Sequence, residues 1–211
     1  MSDINKNLIV TLNRLQYRQE LHDSVFHSDI YTLTKHHRLQ HLVLHHCKYV
    51  AELHLMLTNE HYADLQQHGP QRNRIGRLAV DGLIICLSMF NVCGKLLSAH
   101  IEPNHNDTLA CSEILLHGVG RMAKTIEDVD HMMQTRPLEE IMERAALMAV
   151  SYMNIAVRNF PEYNVFNLNA VMHQVEDRLL EVERKNIYFD KHIVEINRRM
   201  QIYDTLHREA Q

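Results

Sequence analysis

Six glycines and four prolines in 211 residues are too few for collagen-like, linker-rich or low-complexity material, so the chain is read as folded. Basic charge is also short. Lys and Arg number 22 against 26 Asp and Glu, a formal net charge of -4, and this excludes the basic footprint of a nucleic-acid binder. The four cysteines, Cys47, Cys86, Cys93 and Cys111, form no C-x-x-C pair, and no basic stretch leading into an apolar one opens the chain. A reduced, cytoplasmic protein is expected. The most apolar run, Leu83 to Phe90, falls short of the ~20 residues of a membrane span, so no membrane partner is expected either. Histidine, by contrast, is abundant at 17 residues. Protonating about four of them near their ordinary pKa of ~6.5 would cancel the net charge, which places a solubility minimum slightly below neutral pH.

Apolar residues recur at three- and four-residue steps, and no stretch alternates with period two for long enough to make a strand. The pattern predicts an all-α helical bundle in one domain, residues 1–211. A first helix is expected over about Asn5 to Val25, burying Leu8, Leu12, Leu15 and Leu21. A second runs over about Ile30 to Leu57, capped by Ser28 or Asp29, with Leu33, Leu39, Leu42, Val43, Cys47, Val50, Leu53 and Leu57 as its buried stripe. The third, about Arg72 to Leu97, is the most apolar and should be central. A loop through Pro103 and Asp107 leads to a fourth helix at about Thr108 to Met133. Pro137 opens a fifth that Pro161 stops near Phe160. A last helix, 167–207, grows more charged from Glu176, and its final turns with Arg198, Arg199 and Arg208 should be exposed or intermolecular.

Two short echoes suggest an internal duplication with units 30–100 and 107–160. Leu39-Gln40-His41 is followed seven residues after the histidine by Lys48, and Leu115-Leu116-His117 is followed at the same spacing by Lys124. Ser88-Met89-Phe90-Asn91-Val92 is echoed by Ser151-Tyr152-Met153-Asn154-Ile155. Both echoes keep their order.

Asp81 is followed ten residues on by Asn91 and then by Gly94, with Leu83, Ile84, Ile85 and Leu87 between; upstream, His41 precedes Tyr49-Val50-Ala51-Glu52-Leu53 by eight residues. Over about Leu39 to Leu97 these motifs resemble the MazG-like family of all-α nucleoside triphosphate pyrophosphohydrolases, with a fainter second copy from Leu115 to Asn154. The resemblance implies two MazG-like helical hairpins in tandem, an oligomer, and Mg²⁺ held by carboxylates while water attacks the triphosphate. It implies Glu52 and Asp81 as catalytic acids. Positions matching further acids hold Lys48, Tyr49 and Leu78. In the second copy Glu127-Asp128-Val129-Asp130-His131 looks like a shifted acidic segment. Glu143-Arg144-Ala145-Ala146 looks like E-x-x-D without its Asp, in a register two residues from the one the Ser151 and Asn154 echo demands. A split metal site of Glu52, Asp81, Glu127, Asp130 and Glu143 would complete the ligand set. The other reading makes Glu127, Asp128, Asp130, Glu139, Glu140 and Glu143 a solvated helix face.

Lys48 and Lys124 would repel Mg²⁺ yet attract phosphate oxygens, and with Asn91 they are the candidate substrate-binding residues for a nucleotide or other phosphorylated small molecule. An ordinary surface lysine is the plainer reading of each. His37, His41 and His45, at i, i+4 and i+8, form a ladder able to bind a transition metal or to sit as packed imidazoles. No Glu makes His41 to His45 an H-E-x-x-H motif, and no nucleophile triad, P-loop or Gly-rich dinucleotide turn is present. Two functions compete: a MazG-like nucleotide-binding protein with Mg-dependent pyrophosphohydrolase chemistry, and a non-enzymatic helical interaction or oligomerisation protein.

Overall fold

A computed structural model describes residues 3–58, 70–102, 108–131, 136–159 and 168–208. Every regular element among them is helical: α1 (Asp3–Phe26), α2 (Ser28–Tyr31), α3 (Lys35–Thr58), α4 (Pro70–Cys93), a 3-10 turn (Leu97–Ala99), α5 (Thr108–Asp130), α6 (Pro137–Asn159), α7 (Leu168–Glu183) and α8 (Phe189–Arg208). Helices α3 to α6 close a four-helix ring. In it α3 lies against α4 and α5, and α6 against α4 and α5, with the α4–α6 contact the most extensive. The ring therefore apposes two hairpins, α3/α4 and α5/α6. Outside it, α1 packs on α4 and α7, α7 reaches α4 and α6, and α8 rests on α1.

The apolar periodicity explains these placements. Leu8, Leu12, Leu15 and Leu21 of α1 are buried as the pattern requires. In α4, Ile75, Leu78, Ala79, Val80, Leu83, Cys86, Leu87, Met89, Phe90 and Val92 are all buried, which is the signature of a central helix. By length and composition Arg74–Cys93 could also cross a bilayer, so the short-run argument against a span does not hold for this helix; here it is mostly buried inside the bundle. Pro70 and Pro137 each stand first in the second helix of a hairpin, where a missing N–H costs nothing. Gly94, at φ 68, ends α4: its amide bonds to Asn91 O at 3.0 Å and the Lys95 amide to Phe90 O at 3.1 Å, the paired bonds of a left-handed C-terminal cap.

Several expected boundaries move. The second helix is broken, because Thr32 Oγ1 bonds back to Asp29 O at 3.2 Å and Thr34 Oγ1 accepts the His37 amide at 3.3 Å, which caps α3 at Thr34 rather than at Ser28 or Asp29. His27 precedes α2 with no side-chain cap. In α3, His46 and Met56 are buried, while Leu33 (ahead of α3) and Cys47 are exposed and Leu57 only partly covered. The third helix ends at Cys93 and the fourth at Asp130, short of Leu97 and Met133. The last helix is two, since Asn186 Oδ1 accepts the Tyr188 amide at 2.8 Å and turns the chain between α7 and α8. Pro103, Asp107, Phe160 and Pro161 lie outside the described residues.

At the centre of the ring His46 is fully buried. Its Nδ1 lies 3.0 Å from the Tyr152 hydroxyl, its Nε2 lies 3.8 Å from Cys86 Sγ, and the His46 and Tyr152 rings stack with centroids 5.7 Å apart. Burial first, and His45 second, lowers its pKa to about 3, so the ring is neutral. Burial pushes the Tyr152 hydroxyl and the Cys86 thiol up. The Tyr152 ring also fills the space beside Gly82, whose absent side chain makes room for it.

Candidate functional site

The predicted carboxylates are distributed among separate side-chain partners. Glu52 of α3 accepts from Arg74 Nε at 2.6 Å, and Asp81 of α4 takes a two-pronged contact from Arg178 of α7, Nε at 2.6 Å and Nη2 at 3.2 Å. Asp130 meets His36 at 2.8 Å and Glu143 meets Arg144 at 3.4 Å. Lys124 bonds Asp128 at 3.0 Å and Glu127 at 3.1 Å, which raises its pKa. Lys48 is exposed, its Nζ 4.5 Å from the centre of the Tyr49 ring. Asn91 holds α1 in place, giving Nδ2 to Gln16 O and taking Gln16 Nε2, both at 3.0 Å. Among the described residues no group of three or more His, Cys, Asp or Glu could hold a metal ion. The histidine ladder divides as well: His37 contacts Thr34, whereas the His41 and His45 rings lie tilted at 50° with centroids 4.6 Å apart.

Of the predicted site residues, Asp81 lines a cleft. It lies between α1, α3, α4 and α7, is bordered by Asp29 and Ile30 of α2, and measures about 410 Å³. Ile84, Ile85, Leu179 and Val182 give it apolar walls, while Arg178, Tyr49, His22, His27, His41 and His45 line it with polar groups. The carboxylates here are already engaged. Asp23 accepts from Ser88 Oγ at 2.8 Å and from Gln19 Nε2 at 2.9 Å, and Asp81 is held by Arg178. Behind them Glu183, fully buried, takes Arg18 at 2.5 Å and His22 Nδ1 at 2.9 Å. Burial alone would raise the pKa of Glu183, but these two bonds outweigh it and hold the carboxyl below its ordinary value.

Donor capacity remains. Arg178 spends Nε and Nη2 on Asp81 and Nη1 on Glu181, so of its five N–H groups one on each terminal nitrogen is left over. Burial opposes its charge, yet the bonds to Asp81 and Glu181 raise its pKa, and the guanidinium stays charged. His27 is depressed by burial and then by His22, and His45 by burial and then by His41 and Lys48, so both are neutral near pH 7 with one N–H each. Two lining side chains carry polar atoms sealed from solvent with no partner, Gln19 Oε1 and His45 Nδ1. Such atoms cost free energy until a partner arrives.

Gln19, Asp23, His27 and Arg178 were not anticipated, because the repeat and the family motifs lie in α3 to α6 while these residues come from α1, the turn after it, and α7. The run His22-Asp23-Ser24-Val25-Phe26-His27-Ser28-Asp29, polar at the end of an otherwise leucine-striped helix, was the available signal. No protein family, curated protein or solved structure with which the chain was compared matches it.

Proposed function

We propose that the protein binds a phosphorylated small molecule, a nucleotide in the sense of the MazG-like resemblance, in the cleft between α1, α3, α4 and α7. The observation that carries this reading is the Asp81–Arg178 pair: a carboxylate fixes the guanidinium at the cleft wall with two N–H groups left over, beside neutral imidazole donors and apolar walls. Arginine held in this way presents a planar fork suited to phosphate oxygens, and the apolar walls suit a ring. Charge-assisted bonds of this kind are worth ~1.5–3 kcal/mol each.

Catalysis is a separate matter. A Mg²⁺-dependent pyrophosphohydrolase of this type needs several carboxylates on one ion, and Glu52 and Asp81 are each occupied by an arginine. Purified protein is therefore expected to release little or no pyrophosphate from nucleoside triphosphates. Magnesium-dependent turnover at a typical ~1 to 10³ per second, abolished by Glu52→Ala or Asp81→Ala, would contradict that.

Calorimetric titration with nucleoside mono-, di- and triphosphates tests binding. Arg178→Gln should weaken the best ligand about 10-fold or more, and Lys124→Ala should leave it unchanged. Affinity should rise as pH falls through the depressed pKa values of His27 and His45, because each protonated ring adds positive charge opposite the phosphate. An affinity indifferent to Arg178→Gln would remove the reading.

A further inference from the structure

The outer grooves of the two hairpins are covered differently. Over the first, α1 and α7 lie on α4, with the half-open cleft between them. Over the second, beside α5 and α6, two half-open hollows remain among the described residues. Leu147 stands between the two and is 42% exposed, with Leu109, Leu116 and Leu138 exposed around it. On one side of Leu147 a hollow is lined by Ala110, Ile114 and Gly118, with Glu113, His117 and Arg144 at its polar side; on the other lie Met142, Ala146 and Val150, edged by Glu102, Glu139 and Glu143. In the register of the Ser88/Ser151 and Asn91/Asn154 echo, Leu147 corresponds to Ile84, which lines the covered cleft.

Helix α8 carries another exposed apolar surface. Its inner side is held to α1 by Ile196 and Met200 against Leu21, by stacking of Tyr203 on Tyr17 at 4.7 Å, and by Asp204 on Arg14 at 3.0 Å. Its outer side exposes Val194, Ile202 and Leu206, with Arg198 four residues from both Val194 and Ile202, and with Lys191 and Arg199 beside them. This is an apolar ridge with a basic flank at helical spacing. Twenty residues make it ~30 Å long, within the ~35 Å of the 23-residue α6.

We propose that the protein self-associates by seating the outer ridge of α8 from one copy in the α5/α6 groove of a second copy, so that Lys191, Arg198 and Arg199 meet Glu102, Glu139 and Glu143. Charge favours this occupant. The Glu102, Glu139 and Glu143 edge facing its own copy would oppose carboxylates to carboxylates, whereas α8 brings Lys191, Arg198 and Arg199 to it, with Glu195 among them. Within one copy Arg198 pairs with Glu195 and Glu139 with Arg136 across exposed surface, where such pairs are worth little and exchange readily, while Glu143 is itself exposed beside a half-buried Arg144 that also bonds Glu140. The contact joins different surfaces of the two copies; reciprocal exchange about a two-fold axis is the arrangement proposed, a closed dimer with two equal contacts, whereas exchange that did not close would build open arrays.

Sedimentation equilibrium at physiological salt tests this. The full chain is expected at twice its monomer mass, and both Ile202→Asp with Leu206→Asp and Glu139→Lys with Glu143→Lys are expected at the monomer mass with unchanged helical circular dichroism. Adding Arg198→Glu and Arg199→Glu to the groove variant should restore the dimer. A wild-type monomer, a dimer broken by the groove charges alone and indifferent to α8, or a charge-swapped variant that stays monomeric would each overturn the proposal.

Discussion

Gly82→Ala is expected to destabilise the protein by about 2 kcal/mol or more, although alanine is the better helix former. A methyl carbon at Gly82 would lie 2.3 Å from Cε1 and Cζ of Tyr152 and 2.7 Å from Cε2, far inside contact distance. The ring cannot retreat easily, since it is fully buried and its hydroxyl is bonded to the equally buried His46. Overpacking a core costs ~1–3 kcal/mol and at times more, whereas replacing glycine in a helix gains at most ~1 kcal/mol. Gly120 supplies the contrast. It lies exposed in α5 with nothing within 4 Å of the added carbon, so Gly120→Ala should stabilise by up to ~1 kcal/mol. Urea denaturation of the two variants should give shifts of opposite sign, and Tyr152→Leu should reduce the penalty at Gly82. Equal gains at both glycines would mean that α4 and α6 do not meet as described.

Acidification is expected to remove about 1.4 kcal/mol of stability per pH unit through His46 alone between pH ~6.5 and about 3. The sign follows from proton counts. In the fold His46 stays neutral down to about pH 3, whereas in the unfolded chain it protonates below ~6.5; across that window the unfolded state binds one more proton, and falling pH favours it. The lowered pKa of Glu183 adds a loss in the same direction as pH falls through it, so the His46 share must be read as a difference. Replacing both partners, His46→Leu with Tyr152→Phe, removes the titrating ring without stranding the hydroxyl. The pH dependence of unfolding in this double variant should be shallower than wild type by about the stated slope between pH 6 and 4. Parallel profiles would show that His46 is not held neutral by the fold.

The same residues show what could be read from the sequence and what could not. Three- and four-residue spacing placed α1, α4, α5 and α6 to within a few residues, because each presents a continuous apolar stripe to one core. The break at Thr32 to Thr34 and the turn at Asn186 escaped that reading, since both depend on a side chain bonding its own backbone rather than on periodicity. His46 stands three residues after Val43 and four before Val50, on the buried stripe, but reading histidine as polar assigns that place to Cys47. At the candidate site, Asp81 was found from motif spacing, but its partner Arg178 stands 97 residues away and only tertiary packing brings it there. The acids Glu52, Glu127, Asp130 and Glu143 were grouped by analogy, and the fold gives each a different partner: Arg74, Lys124, His36 and Arg144.

A crystal structure with Mg²⁺ and a non-hydrolysable nucleoside triphosphate analogue tests the binding reading most directly. The expected result is phosphate density within hydrogen-bond distance of the two remaining Arg178 N–H groups, with the ring between Ile84, Ile85, Leu179 and Val182 and the Asp81–Arg178 pair intact. Density elsewhere on the bundle, or Mg²⁺ coordinated by Glu52 and Asp81 with Arg74 and Arg178 displaced, would contradict it.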